Sequence, residues 1–316
     1  MSRIRHLPVA LFTTLMGSAG LTLVWEKGAE VFGLPLIISE VLLALTLGLM
    51  ILLGSSYAIK FLRFREEVCQ EFYHPIKISF FPAFSIGLML VATALHQHLP
   101  QLSLVLWSVG ALLQLLLTLF LMNQWIHHSK TQINHTTPAW FIPIVGNIIA
   151  PIEAVALGFT ELGWFFFSIG LIYWIVLKVL VFNRVLYHDP LPKNLLPTLF
   201  ILIAPPAVGF IAYQRLSAGA FDAVAHVLYY TALFLVILLL TQVGRFARLP
   251  FFISWWAYSF PLAAFTVATM LMYQHTGALF FWGLSLLMLT LVSLLILMLA
   301  WRTISAVKSG NLFKPD

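Results

Sequence analysis

Ten apolar stretches, each about as long as a bilayer core is thick, run through this chain of 316 residues. They occupy roughly 7–25, 34–61, 77–97, 102–126, 138–158, 161–185, 195–214, 222–243, 253–274 and 277–303. A helix needs ~20 apolar residues to cross ~30 Å of hydrocarbon. The stretches are rich in Leu and lack the period-two alternation of membrane strands. Hydrocarbon offers backbone groups no partners, so each stretch must pair its own N–H and C=O groups, as a helix does. Short connections leave no room for a separate soluble unit. The chain is therefore expected to be all-α, with residues 1–316 forming a single transmembrane domain.

Charge gives the direction. Only 9% of residues are Asp, Glu, Lys or Arg, against about 25% in soluble domains. If the N-terminus is cytoplasmic, 15 of the 17 basic residues fall on the cytoplasmic side, and Lys27 and Arg215 alone fall outside. This is the positive-inside asymmetry, and an even number of spans returns the C-terminus to the cytoplasm. The multi-pass topology is that expected in a bacterial inner membrane. The net charge of +6 does not indicate nucleic-acid binding, because the basic residues are spread over several loops rather than one face. Arg3 and Arg5 precede an apolar run of about 19 residues, longer than the ~7–15 of a secretory signal, so the run is expected to remain as a helix. The single cysteine, Cys69, permits no disulfide within the chain.

Prolines separate odd segments from even ones. Segment three contains Pro82, segment five Pro143 and Pro151, segment seven Pro205 and Pro206, and segment nine Pro261. The even segments have no interior proline, and segment one carries Gly17 and Gly20 near its centre. A proline inside a helix removes a hydrogen bond and kinks it. The freed carbonyl needs a partner that lipid does not supply. Odd helices are thus expected inside and smooth even helices outside, giving five hairpins around a central pore.

Pore-lining candidates are Phe12, Gly17, Phe81, Pro82, Phe84, Phe141, Pro143, Pro205, Pro206 and Pro261. Intramembrane ionisable residues are few, and such residues mark working sites when they occur. Glu153, near the outer end of segment five, and Glu40, in segment two, are the candidates for selectivity or proton coupling. A pore lined by aromatics with basic loops on one side favours anions. His127, His128 and His135 share one loop with Lys130, but their spacing fits no metal-ligand pattern. No phosphate-binding loop, nucleophile elbow or paired-carboxylate signature occurs, so neither an enzyme activity nor a cofactor is expected.

Several stretches resemble the tellurite-resistance/dicarboxylate transporter family, which includes bacterial TehA, yeast-type malate permeases and plant guard-cell slow anion channels. They are Gly17-x-x-Gly20-Leu21 with Trp25, Glu71-Phe72-Tyr73-His74-Pro75 leading to Ser79-Phe80, Pro138 to Asn147, and Trp255-Trp256-Ala257-Tyr258-Ser259-Phe260-Pro261-Leu262. The last is the most specific. The resemblance implies ten helices in five hairpins, a trimer with one pore per subunit, and a phenylalanine gate matched by Phe260. It implies small monovalent anions as the conducted species, with proton-coupled carriage or export of C4-dicarboxylate, sulfite or tellurium oxyanions as the alternative. The sequence departs from the family where Phe12 is followed by Thr13, and the resemblance assigns no role to Glu153 or to the Pro205-Pro206 pair.

Overall fold

The computed structural model describes residues 2–127 and 132–313, and no β-strand occurs among them. His128 and Lys130 of the histidine-bearing loop lie outside the described residues. The fold consists of ten rods: α1 Val9–Phe32, α2 Leu36–Arg63, α3 Lys77–Leu95, α4 Pro100–His127, α5 Pro138–Ala156, α6 Thr160–Tyr187, α7 Leu196–Leu216, α8 Ala223–Leu240, α9 (Ile253–Tyr258 continuing as Ser259–Thr276) and α10 Leu279–Lys308. Among the described residues, nine of these are long and apolar enough to cross a membrane. The tenth, α9, is diluted by Ser259, Thr266 and Thr269, which are buried, and by Gln274 and His275, which are exposed in its last turn.

The odd rods form a closed ring, in which α1 packs on α3, α3 on α5, α5 on α7, α7 on α9, and α9 back on α1. Each even rod packs on its hairpin partner and on the next ring member, filling the groove between them. Burial follows this division. The central windows of α1, α3, α5 and α7 are 72, 83, 83 and 78% buried, whereas α2 and α4, for example, reach 22 and 39%. The outer surface, with Leu45, Leu52, Leu112, Ile172 and Leu294 exposed, is what acyl chains solvate.

The reason prolines mark the ring helices differs from the expected mid-helix kink. Each odd rod starts as a 3₁₀ segment and then becomes α-helical: Val9–Leu11, Lys77–Phe80, Pro138–Trp140, Leu196–Ile203 and Ile253–Tyr258 precede the α portions. Pro82 opens its α portion, Pro205 and Pro206 follow Ala204, and Pro143 and Pro261 are third in theirs. The first turn of an α-helix has no internal acceptor for its N–H groups, so proline loses nothing there. The residues before Pro82 and Pro205 keep α-region backbone angles (φ −59°, ψ −43° at Phe81 and φ −60°, ψ −50° at Ala204), so the chain passes from 3₁₀ to α without leaving helical space. Among the described residues, Pro151 alone lies in the interior of an α-helix, in α5. The five 3₁₀ segments touch in a second closed ring, so the odd rods all point their N-terminal ends the same way.

Boundaries differ from the sequence reading mainly at α1. It runs to Phe32, not to residue 25, and stops where Gly33 adopts φ 68°, the left-handed cap that glycine accepts without strain. Close packing of the ring depends on small residues. A Cβ on Gly17 would lie 2.3 Å from Ser259 Oγ, and one on Gly20 would lie 3.1 Å from Ala263 Cβ. Asp222 caps α8, accepting N–H groups of Val224 and Ala225 at 2.9 and 3.1 Å. The Tyr213 hydroxyl, followed by these N–H groups, holds its carboxyl below the usual range.

A buried polar network fixes the switch in α5. The Pro143 carbonyl accepts from Gln114 Nε2 at 2.6 Å, Asn147 Nδ2 at 2.9 Å and Thr118 Oγ1 at 3.0 Å. Ser85 Oγ donates to Gln114 Oε1 at 2.6 Å, tying α3 to α4. Gly146 makes room for this amide, since a Cβ there would lie 2.2–2.4 Å from its atoms. Gly146→Ala should displace Gln114, strand buried polar groups and destabilise the protein by ~1–3 kcal/mol. Thermal unfolding of the detergent-solubilised variant checks this; an unchanged midpoint would contradict it.

Candidate functional site

Two cavities lie on the ring axis, and all five odd rods contribute to both. The larger, of about 300 Å³, lies toward the C-terminal ends of these rods. Its walls include Gly20, Leu23, Leu90, Ile152, Val208 and Ala263. Its mouth carries Glu26, Lys27, Glu30, His96, Glu153 and Arg215. The smaller, of about 30 Å³, lies toward the 3₁₀ ends and has room for about one water molecule. Thr13, Met16, Phe80, Ile142, Val145 and Ile201 are among its walls, and no charged side chain lines it. Among the described residues, Phe260 alone lines both cavities. It is buried at the start of the α portion of α9, one residue after Ser259 and directly before Pro261. The approach of Gly20 allows the ring to lie against α1: a Cβ on Gly20 would be 3.4 Å from Phe260 Cδ2.

The wide cavity has an organised polar wall. Glu153, 2% exposed, holds Ser103 Oγ at 2.7 Å and stands 2.7 Å from His96 Nδ1, both through Oε1. These contacts reach across from α5 to the start of α4 and the end of α3. Lys27 pairs with Glu30 at 2.7 Å, and Gln274 Nε2 donates to the same carboxylate oxygen at 3.1 Å. Three carboxylates thus share the mouth with two permanent cations and one histidine. The opposite, 3₁₀ end of the ring presents helix N-termini, which carry positive partial charge.

The sequence candidates separate in space. Pro261 joins Phe260 in lining the narrow cavity. Gly17 does not reach either cavity; it seats α1 against Ser259 and Trp256 of α9. Phe12, Phe81 and Phe84 lie behind the ring, where Phe12 meets Tyr57 and Phe84 at centroid distances of 5.1 and 4.8 Å. Phe141, Pro82, Pro143, Pro205 and Pro206 are buried between helices and line neither axial cavity. Their neighbours Phe80, Ile142, Val145 and Ala204 do line the narrow one. Each of these prolines thus sits close in sequence to an axis-facing residue rather than being that residue, because neighbouring positions on a helix point in different directions. Glu40 is exposed on the outer helix α2, away from both cavities. Sequence reasoning missed Glu26 because α1 was ended at residue 25. The signal was present: Gly20, Leu23, Lys27 and Glu30 recur at helical spacing on the face that lines the cavity.

Sequence comparison accords with this architecture. The profile of the SLAC1 family, described as voltage-dependent anion channel, matches residues 6–304. The S-type anion channels SLAH3 and SLAH2 of Arabidopsis thaliana are 29% and 30% identical over 83% of this chain, covering 42% and 52% of their own lengths. The chain thus spans about half the length of these plant relatives. The tellurite resistance protein TehA homolog of Haemophilus influenzae is 27% identical over 97% of this chain and 93% of its own. Ten rods in a double ring, and a family match that runs from before α1 into α10, lead to one assignment: the chain is a multi-pass membrane protein that belongs to the SLAC1 family of anion channels and transporters.

Proposed function

We propose that the protein conducts small monovalent anions through the axis of the odd-helix ring and that Phe260 is the gate. The observation that carries this reading is that Phe260 borders both axial cavities while the narrow one has no charged wall. An apolar constriction closes a pore by dewetting and by occlusion, and it binds no ion tightly enough to trap it. The positive helix N-termini and the basic end of the molecule favour anions over cations on approach. The ring swings aside to open the path. By the positive-inside bias the 3₁₀ end and both termini are cytoplasmic, the membrane is the bacterial inner membrane, residues 1–316 act as one transmembrane domain, and the unit is a homotrimer with a pore in each subunit. Chloride-loaded liposomes containing the protein should lose the anion down its gradient once a potassium ionophore balances charge. Absence of efflux above empty liposomes would contradict conduction.

A second reading, proton-coupled carriage of an organic or tellurium oxyanion, is favoured by the Glu153–His96–Ser103 contact in the wide cavity. It predicts uphill anion uptake driven by a pH gradient and abolished by Glu153→Gln. Channel conduction predicts passive flux that persists in this variant.

A further inference from the structure

A third cavity, of about 540 Å³, opens on the flank of the molecule between α2 and α4, under the short helix Arg65–Tyr73. Its walls are apolar and half of their residues are aromatic, among them Phe61, Phe72, Phe81 and Phe84, and Arg65 stands at its rim. Arg65 is exposed and has no ion-pair partner among the described residues. We propose that this groove binds one acyl chain of an anionic phospholipid, with the phosphate at Arg65.

Size, charge and place each support this occupant. A methylene needs no more room than a water molecule, about 30 Å³, so the groove has the volume of more than ten methylenes. A helix with its side chains is ~10–12 Å across and rises ~5.4 Å per turn. A helix of a second copy would therefore fit for only about one turn. The groove lies on the flank solvated by lipid, and its cationic rim is at the membrane surface that carries the termini. A basic residue at the membrane surface attracts an anionic headgroup by ~1 kcal/mol, and the neighbouring Glu66 and Glu67 line a separate polar cavity with Arg5 and Lys60 rather than the groove. The rear wall consists of Phe12 of α1 and Phe81 and Phe84 of α3, so the chain would press on two ring helices from behind. The assignment does not depend on Phe260 being a gate.

Gly54 provides the test. Gly54 lines the groove, and a Cβ there meets only Phe84 Cε2 and Cζ at the ordinary contact distances of 3.8 and 3.9 Å, so a larger side chain takes up groove volume. Gly54→Leu also replaces a poor helix former with a good one, so the variant should fold. Native mass spectrometry of the full-length protein, titrated with dioleoyl phosphatidylglycerol or dioleoyl phosphatidylcholine, measures binding. Wild type should retain the anionic lipid about fivefold better, equivalent to ~1 kcal/mol for one cation at ~1.4 kcal/mol per decade. Arg65→Gln should bind both lipids equally, and Gly54→Leu should bind each at least about tenfold more weakly. Undiminished lipid binding by Gly54→Leu would overturn the proposal. An unchanged headgroup preference in Arg65→Gln would overturn the placement of the phosphate. Loss of oligomer in Gly54→Leu with lipid binding intact would make a second copy the occupant instead.

Discussion

Phe260→Ala should raise anion current through the reconstituted protein by ~10–100-fold. The magnitude follows from what opening requires. Moving a buried phenylalanine ring out of its packed position forfeits burial worth ~1.5–3 kcal/mol. At ~1.4 kcal/mol per decade, the open state of the wild type is then populated at roughly 1–10%. Alanine has no ring to displace, so the variant stays open. Phe260→Leu should fall between the two, since a leucine side chain still obstructs the gap between a cavity of about 300 Å³ and one of about 30 Å³. Single-channel and macroscopic recordings on variants that elute as the wild-type assembly check the order Ala, Leu, Phe. Equal currents in all three would remove Phe260 from the path.

The second large effect concerns stability. Glu71→Leu should destabilise the protein by ~3–5 kcal/mol, because it leaves the ammonium of Lys60 buried without a counter-charge. Lys60 is 2% exposed and reaches Glu71 Oε2 at 2.6 Å and the Leu7 carbonyl at 2.8 Å. Glu71 also accepts the Tyr57 hydroxyl at 2.8 Å and the Val9 N–H at 3.3 Å. This one carboxylate joins the start of α1, the end of α2 and the helix Arg65–Tyr73. Lys60→Met should cost less, since Glu71 keeps two donors and is the more exposed of the two (11% against 2%) beside the polar cavity of about 400 Å³ that both border. Combining Lys60→Met with Glu71→Leu should recover more than half of the Glu71→Leu loss, because no unpaired charge remains. Thermal melts of the four proteins measure this coupling. Additive losses would mean that the pair does not act as a unit.

Much of the architecture was legible in order and composition, and the exceptions have physical causes. Pro82, Pro143, Pro206 and Pro261 marked the ring helices, but as starts of α-helical turns rather than kinks within them. Hydropathy cannot distinguish a 3₁₀ coil from an α-helix, so Leu196–Ile203 read as ordinary helix. The aromatic residues Phe12, Phe81 and Phe84, expected along the pore, lie together on the far side of the ring. The rotational setting of a helix depends on its neighbours, and α1 and α3 are apolar on most faces. Glu153 was visible as an intramembrane carboxylate. Its partners His96 and Ser103 were not, because they are 57 and 50 residues away in sequence. Gln114 lay within a leucine-rich run that looked lipid-facing, yet its amide is wholly buried on the Pro143 carbonyl.

The direct test of an axial anion path is the reversal potential of Phe260→Ala in a planar bilayer with unequal chloride on the two sides. The account predicts reversal close to the chloride equilibrium potential, unmoved when potassium is exchanged for a large organic cation. Reversal that follows the cation, or the absence of current from correctly assembled protein, would contradict it.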